Sequence, residues 1–139
     1  MNAYLDSSVL LRIVLGEPEP LPSWGRIDEA LSSELIRLEC LRTIDRARVQ
    51  LRLGDDVVSR QRADVLEAID GLSLIPLTRL VLERAAEPFP TLVGSLDAIH
   101  LASALLVREQ YNELLFATHD QRLAVAARAM GLSVTGSLI

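Results

Sequence analysis

Four acidic residues in this sequence stand where the strands of a buried parallel sheet are expected to end. Asp6 interrupts the apolar run YLDSSVLL, Asp97 opens the stretch SLDAIHLASAL, and Asp120 comes just after the apolar run LLFAT. Glu39 lies in the early turns of the predicted helix that follows LSS. In an open parallel sheet, ligands bind beyond the carboxyl ends of the strands, so we expect these four carboxylates at one edge.

Each of these acids also has a purely structural interpretation. Asp6 and Asp120 could cap the helices that follow them, and Asp97 near a helix start is favoured by the helix dipole alone. Glu39 on an amphipathic helix is more often a surface residue than a ligand. Together the four favour a cation-binding site over four separate structural roles, because carboxylates gathered at one edge repel one another unless cations neutralise them.

A cluster of carboxylates is typical of a site for a hard divalent cation. Oxygen ligands suit Mg²⁺ or Mn²⁺, which tolerate incomplete protein coordination and keep bound waters. Such an ion polarises a phosphate and activates water as a nucleophile. The predicted reaction is therefore metal-assisted hydrolysis of a phosphodiester, with Asp6, Glu39, Asp97 and Asp120 as the catalytic and metal-binding residues.

The charge of the chain neither requires nor excludes a nucleic-acid substrate. The 19 acidic residues outnumber the 14 basic ones, which gives a net charge of −5, and every basic residue is Arg. If four acids surround metal ions, the remainder is nearly neutral and Arg could form a local basic rim. A phosphotransfer receiver domain is excluded because it needs a Lys, and a dehalogenase-type phosphatase is excluded because it needs Asp where Ser8 stands.

Cysteine usage and hydropathy bear on the compartment. The single cysteine, Cys40, excludes an internal disulfide framework and a cysteine-rich zinc site, and its apolar helix predicts a buried, inert thiol. Arg12 interrupts the run LLRIVL, and no segment approaches the roughly 18 apolar residues that a membrane span needs. No signal peptide is recognisable. We therefore expect a cytoplasmic protein without a membrane segment.

Short apolar runs alternate with amphipathic ones along the chain. The predicted strands are NAYL, LSS, LSLIPLT, LLFAT and LSVTGSL, with helices between them. The proline-rich EPEPLPS predicts a loop, and WGRIDEA predicts a weak helix. This alternation predicts parallel βαβ units in a three-layer α/β/α sandwich. Without a linker or an internal repeat, residues 1–139 are expected to form a single domain.

Four motifs carry a resemblance to a known family. They are YLDSSVLL, SSELIRLECLR, SLDAIHLASAL and ATHDQRLAVAARAMGL, in this order over nearly the whole chain. Together they resemble the PIN-domain ribonucleases, and more closely the VapC toxins of bacterial and archaeal VapBC toxin–antitoxin pairs. The resemblance implies a PIN-like α/β fold whose five-stranded parallel sheet has the order three-two-one-four-five. It also implies a metal-dependent endoribonuclease that cuts structured tRNA or rRNA.

The resemblance implies a role for the same four acids. The first metal aspartate of the family falls on Asp6 and its glutamate on Glu39. The acid of the LDAIHLA stretch is Asp97, and the acid of the T-x-D stretch is Asp120. Asp6 and Asp97 are implied to be the firmest ligands of the Mg²⁺ or Mn²⁺ ion, while Glu39 and Asp120 complete the cluster.

A second group of residues is implied to lie near the metal or the substrate. Ser7, Ser33 and Thr118 match hydroxyl positions of the family, although each could equally be a cap. Arg42, one turn after Glu39, could orient that carboxylate, contact a phosphate or form a structural ion pair. His100 is on the same helix side as Asp97 and could contact the site, although a satisfied structural role is the expectation. His119 is given no role.

The resemblance also implies partners. A VapB-type antitoxin is expected on an apolar groove near the helices after Asp6 and Glu39, and a homodimer is expected as well. The hydrophobic share of 50% fits both expectations, because it exceeds what one core needs. A catalytically silent PIN-like interaction module is the alternative that the sequence leaves open.

Overall fold

The fold is built on five short parallel strands. The computed structural model describes residues 1–16 and 24–136. The strands in these residues are β1 (Asn2–Leu5), β2 (Glu29–Ser33), β3 (Ser73–Ile75), β4 (Leu114–Ala117) and β5 (Ser133–Thr135). They form one sheet in the order β3-β2-β1-β4-β5, and every neighbouring pair is parallel. The predicted sheet and its strand order are confirmed.

Helices connect the strands and cover both faces of the sheet. Those in the described residues are α1 (Ser7–Val14), α2 (Leu35–Gln50), α3 (Asp55–Asp70), α4 (Arg79–Ala86), α5 (Ser95–Val107) and α6 (Gln121–Ala129). Two short 3-10 turns occupy Trp24–Arg26 and Arg108–Gln110. None of these helices is long and apolar enough to span a membrane.

Side chains of β1 alternate between two apolar cores. Ala3 and Leu5 are fully buried on one face, where they pack with Val9 of α1. Tyr4 is fully buried on the other face, in a core that includes Leu101 of α5 and residues of α6. On the first face α1 packs in turn against α2 and α3. Because successive strand residues point to opposite faces, β1 is covered on both sides, and the layers are those of the predicted three-layer sandwich.

The second strand begins two residues earlier than the sequence predicts. The weak helix expected over WGRIDEA is wrong, because only a 3-10 turn forms there and Glu29 already pairs with Asn2 of β1. The Asp28 N–H donates to the Met1 carbonyl at 2.7 Å, and the amino terminus forms an ion pair with the Asp28 carboxylate. Pairing with the central strand therefore outweighs the local helix preference. The predicted loop EPEPLPS lies outside the described residues.

Two helix starts differ in detail from the expected caps. Ser95 is expected to cap α5, and the pair Asp55 and Asp56 is expected to cap α3. The N-caps are instead Gly94 and Gly54, and neither helix has a side-chain hydrogen bond at its cap. The two Asp residues lie in the first turn of α3, where negative charge interacts favourably with the helix dipole.

The single cysteine lies in the core between α1, α2 and α3. Cys40 is fully buried. Burial, followed by the charges of Glu39 and Asp6, raises the pKa of the thiol to about 12. The predicted burial of the thiol is confirmed, and its raised pKa disfavours the reactive thiolate.

Candidate active site

The two central strands, β1 and β4, end side by side at the carboxyl edge of the sheet. From β1 the chain continues to β2 on one side, and from β4 it continues to β5 on the other. The Asp6 N–H donates to the Ala117 carbonyl at 3.2 Å, so the residues that follow the two strands are in direct contact. This is a topological switch point, the place where open α/β sheets bind ligands.

Asp6 is buried at this switch point and accepts three hydrogen bonds. Its Oδ1 accepts from the Ser8 hydroxyl at 2.6 Å and from the Val9 N–H at 3.2 Å, and its Oδ2 accepts from the Thr118 hydroxyl at 2.5 Å. Burial raises the pKa of Asp6, and the hydroxyl donors offset part of the rise. The capping interpretation is confirmed, since Asp6 is the N-cap of α1. Capping also orients the carboxylate at the edge where ligand binding is expected.

Asp97 lies half-buried in the first turn of α5. Its pKa is raised to about 6, first by burial and then by the negative charges of Asp120, Asp6 and Glu39. Burial alone would raise this pKa, and the added effect of three other carboxylates means that they lie within electrostatic range of Asp97. The structure therefore brings all four predicted acids into one region, which we call the acidic site (Asp6, Glu39, Asp97 and Asp120).

Glu39 reaches the acidic site from α2 and is paired with a histidine of α5. Its Oε1 lies 2.5 Å from Nε2 of His100, and Nδ1 of His100 lies 2.7 Å from the Tyr4 hydroxyl. Only 12% of the Glu39 side chain is exposed, so the surface interpretation of this residue is wrong. His100 has a partner on each ring nitrogen, as expected, but one partner is a site residue. Tyr4 was not expected near the site at all.

Asp120 stands at the exposed rim of the acidic site. Its Oδ1 accepts from the N–H groups of Arg122 and Leu123 at 2.9 and 3.1 Å, so the side chain is the N-cap of α6. Its own N–H donates to the Thr118 hydroxyl oxygen at 3.0 Å. The capping interpretation is confirmed here too. The same contacts hold the carboxylate near the end of β4.

Thr118 and Ser8 link the acids to the backbone around them. Thr118 is fully buried. Its hydroxyl donates to the Asp6 carboxylate and accepts from the Asp120 N–H. The Ser8 hydroxyl donates to Asp6 and accepts from the His119 N–H at 3.0 Å. Ser8 was not among the residues predicted for the site. Its spacing of two residues from Asp6, typical of a local side-chain hydrogen bond, was the signal available for this contact.

The other residues of the second group lie in structural positions. The Ser33 hydroxyl accepts from the Leu35 N–H at 3.1 Å at the start of α2, and Ser7 is the first residue of α1. Arg42 donates to Asp45 at 3.1 Å on an exposed part of α2. Of the three interpretations of Arg42, the structural ion pair is the one that the structure contains.

The donor chemistry of the acidic site fits a hard divalent cation, but the site is not a closed cage. Across residues 1–16 and 24–136, no three His, Cys, Asp or Glu side chains are close enough together to form a metal cluster. Asp6 and Asp120 cap helices, and Glu39 is held by His100. All four acids offer oxygen ligands, and the raised pKa of Asp97 means that positive charge nearby would be favourable. Such a set fits Mg²⁺ or Mn²⁺ bound by few protein ligands and several waters.

Comparison with known proteins gives a family for this chain. A family model described as the PIN domain matches residues 3–129. The protein named Ribonuclease VapC47 from Mycobacterium tuberculosis (strain CDC 1551 / Oshkosh) is 35% identical over 96% of this chain and 95% of its own length. Ribonuclease VapC46 from Mycobacterium tuberculosis (strain ATCC 25618 / H37Rv) is 31% identical over 94% of each chain.

Solved structures share the fold at much lower identity. A chain of the crystal structure of VapBC2 from Rickettsia felis, bound to a DNA fragment from their promoter, matches with a TM-score of 0.66 and 10% identity over 96% of this chain and 97% of its own. PAE2754 from Pyrobaculum aerophilum matches with a TM-score of 0.59 and 15% identity over 96% and 89%. These two likenesses concern the fold alone. The family model and the two relatives show that this chain belongs to the PIN-domain family, and within it to the VapC group.

Proposed function

We propose that this protein is a VapC-type endoribonuclease, the toxin of a toxin–antitoxin pair, and that it hydrolyses RNA phosphodiester bonds with Mg²⁺ or Mn²⁺. The observation that carries the proposal is the meeting of four carboxylates at the switch point, where Thr118 links Asp6 to Asp120 and His100, one turn after Asp97, contacts Glu39. The names of the relatives at 35% and 31% identity, both ribonucleases, support the reaction class.

The acidic site would hold the ion through Asp6 and Asp97, with Glu39 and Asp120 adding negative charge around it. When bound, the ion would supply positive charge to the scissile phosphate and would lower the pKa of a nearby water. Without a cation, the four carboxylates would repel the phosphates of RNA. Substrate binding is therefore expected to require the ion.

The surrounding side chains prepare the site before ion and substrate arrive. Ser8 and Thr118 hold both oxygens of Asp6 in place, and the Asp120 N–H in turn holds Thr118. Groups fixed in this way need little rearrangement when the ion and the phosphate bind, which favours catalysis.

An antitoxin is inferred as the protein partner. The Rickettsia felis structure is named as a VapBC complex, and a groove of about 310 Å³ lies beside α1, β2 and α3 of this chain. Its lining combines apolar side chains, among them Leu10, Ile13, Ile27 and Leu72, with the acidic Asp28 and polar backbone. Such a groove fits an apolar segment of a VapB-type partner.

A homodimer is the second inferred assembly. Large apolar side chains are exposed on and beside α4 and α5, including Leu80, Leu92 and Leu96, and the Leu92 side chain is 99% exposed. Because α4 and α5 pack against each other, these side chains come from one part of the surface, and exposed apolar side chains that lie together are typical of an interaction surface. Measurement of the solution mass of the purified protein at several concentrations tests this inference.

The RNA substrate is inferred to be a structured tRNA or rRNA, and the site of action is inferred to be the cytoplasm. The test is to map RNA ends in cells after induction of wild-type protein and of Asp97→Asn. We expect new ends at one or a few positions with the wild type and none with the variant. Purified, antitoxin-free protein should cut the same RNA with Mg²⁺ or Mn²⁺ and not with EDTA. A wild type that cuts no RNA under either condition would indicate the silent interaction module instead.

Growth provides an independent test of the toxin role. Expression of the wild type alone should arrest growth, and co-expression of the small gene expected next to it should restore growth. Asp6→Asn should be harmless at the same protein level, because it lacks a charged ligand for the ion. A wild type that is harmless alone contradicts the toxin assignment.

A further inference from the structure

His100 connects the acidic site to the centre of the sheet through two hydrogen bonds. Its Nε2 lies 2.5 Å from Oε1 of Glu39 and its Nδ1 lies 2.7 Å from the hydroxyl of Tyr4. The ring is buried, with 1% exposure. The three residues come from three different elements, α2, α5 and β1, and are 61 and 96 residues apart along the chain.

The direction of the hydrogen bond to Glu39 follows from donor and acceptor chemistry. An ionised carboxylate can only accept, so the proton in this contact is on Nε2 of His100. The Nε2–H donates to Glu39 whether or not Nδ1 also carries a proton. The link therefore does not depend on the charge of the imidazole ring.

Tyr4 holds the imidazole in one orientation. The Tyr4 ring is fully buried and stacked on Phe116, with centroids 5.4 Å apart and planes at 6°. It meets the His100 ring edge-on, with centroids 5.7 Å apart and planes at 74°. A ring packed in this way, with a partner on each nitrogen, cannot turn without losing a buried hydrogen bond.

Glu39 needs such a partner more than the other acids do. Asp6 and Asp120 are short side chains fixed by helix capping. Glu39 projects from the early turns of α2 on a longer and more flexible side chain, and repulsion from Asp6 and Asp97 would favour a rotamer that turns toward solvent. Because His100 is on the same helix as Asp97, and Tyr4 is on the strand that leads to Asp6, the chain of contacts positions Glu39 relative to both.

We propose that His100 is a positioning residue, which together with Tyr4 holds the Glu39 carboxylate in the acidic site so that it contributes to divalent-cation binding. The inference rests on the proposed function for the identity of the ion. It adds His100 and Tyr4 to the residues that support cation binding. Replacing a residue that hydrogen-bonds to a metal ligand and orients it typically weakens metal binding by about 10- to 100-fold.

The test is the affinity of the purified full chain for Mn²⁺ alone, measured by electron paramagnetic resonance of the free ion. Glu39→Gln and His100→Leu should each weaken binding about 10- to 100-fold. His100→Gln should stay within about threefold of the wild type, because its amide N–H takes the place of Nε2–H. Cys40→Ala is the matched control, since this buried neighbour of Glu39 should lose stability without losing Mn²⁺ affinity.

A double-mutant cycle separates positioning from a general effect on the fold. If His100 acts through Glu39, the variant with both Glu39→Gln and His100→Leu should bind Mn²⁺ no more weakly than Glu39→Gln alone. Additive losses, or a His100→Leu variant that binds like the wild type, would overturn the inference. If His100→Leu does not fold, His100→Asn replaces it, because an Asn amide is too short to reach Glu39, and the comparison with His100→Gln is kept.

RNA cleavage measured on the same samples separates this inference from the proposed function. Wild-type protein that shows the expected Mn²⁺ coupling and cuts no RNA contradicts the ribonuclease proposal and leaves the role of His100 intact. Wild-type protein that cuts RNA while His100→Leu keeps full Mn²⁺ affinity contradicts only the role of His100.

Discussion

Thr118 donates its hydroxyl proton to Asp6 across a distance of 2.5 Å, although the two residues are 112 positions apart in the sequence. The contact joins the ends of the two central strands at the switch point. The same hydroxyl oxygen accepts the N–H of Asp120. One buried side chain thus connects two of the four acids of the site.

Replacement of Thr118 with Val should therefore affect both stability and the site. The variant keeps the shape of the side chain but leaves buried polar groups without a partner, which costs about 1–3 kcal/mol. Urea unfolding should show this loss, and RNA cleavage should fall with it. Thr118→Ser keeps the hydroxyl and is the matched control. A Thr118→Val variant as stable as the wild type would contradict the structural role of this hydrogen bond.

The raised pKa of Asp97 predicts a specific pH dependence of stability in metal-free protein. The folded state holds this proton up to about pH 6, whereas the ordinary value is 3.8, so the folded state binds more protons between those values. The contribution of Asp97 to stability is therefore greatest at acid pH and falls as the pH rises from about 4 to about 6. In Asp97→Asn this contribution to the fall in stability should be absent. Above pH 7 the variant should be more stable than the wild type by about 1 kcal/mol, a value reduced for solvent screening at a half-buried position.

The measurement is chemical denaturation across the pH range in EDTA. Glu113→Gln, which changes an exposed acid before β4, is the control and should follow the wild-type curve. Added Mn²⁺ should stabilise the wild type and have little effect on Asp97→Asn. If the free energy of unfolding changes with pH in the same way for the wild type and Asp97→Asn, the raised pKa of Asp97 is contradicted.

The buried thiol predicts a slow reaction with thiol reagents. Cys40 is fully buried, and the pKa of its thiol is raised to about 12, so the native protein should hold almost no thiolate at pH 8. The absorbance released from a chromogenic disulfide reagent measures this reaction. In buffer the Cys40 thiol should not react quickly, whereas in urea one thiol per chain should react quickly. A fast native reaction would mean that the core around α2 opens readily.

The packing of α5 against the sheet predicts unequal costs for two leucine truncations. Leu101 is fully buried in the core beneath α5, whereas the Leu92 side chain is 99% exposed. Leu101→Ala should destabilise the protein by about 2–5 kcal/mol, because it leaves a cavity. Leu92→Ala should change the stability by less than about 0.5 kcal/mol. Urea unfolding of the two variants tests the difference, and equal costs would contradict the placement of α5.

Much of the fold could be predicted from the sequence, because the signals are local. Apolar strands alternating with amphipathic helices follow from residue periodicity, which needs no tertiary contact to be recognised. Asp6 and Asp120 occur directly after strand residues, so their place at the carboxyl edge follows from the rule for parallel sheets. The burial of Cys40 followed from the apolar helix around it. The start of β2 was missed because pairing of Glu29 with Asn2 outweighs the weak helix preference of the segment.

The sequence by itself determined which acids gather at one edge of the sheet, and the tertiary structure decided what holds each of them. The contacts of Asp6 with Thr118, of Glu39 with His100 and of His100 with Tyr4 span 112, 61 and 96 residues. No local pattern encodes such contacts, because they depend on how helices pack across the sheet and on which rotamers then remain. For the same reason the pairing of Arg42 with Asp45 rather than with Glu39 became clear only from the folded chain. Composition and periodicity place backbone elements, whereas the partners of a buried polar side chain are determined by its neighbours in space.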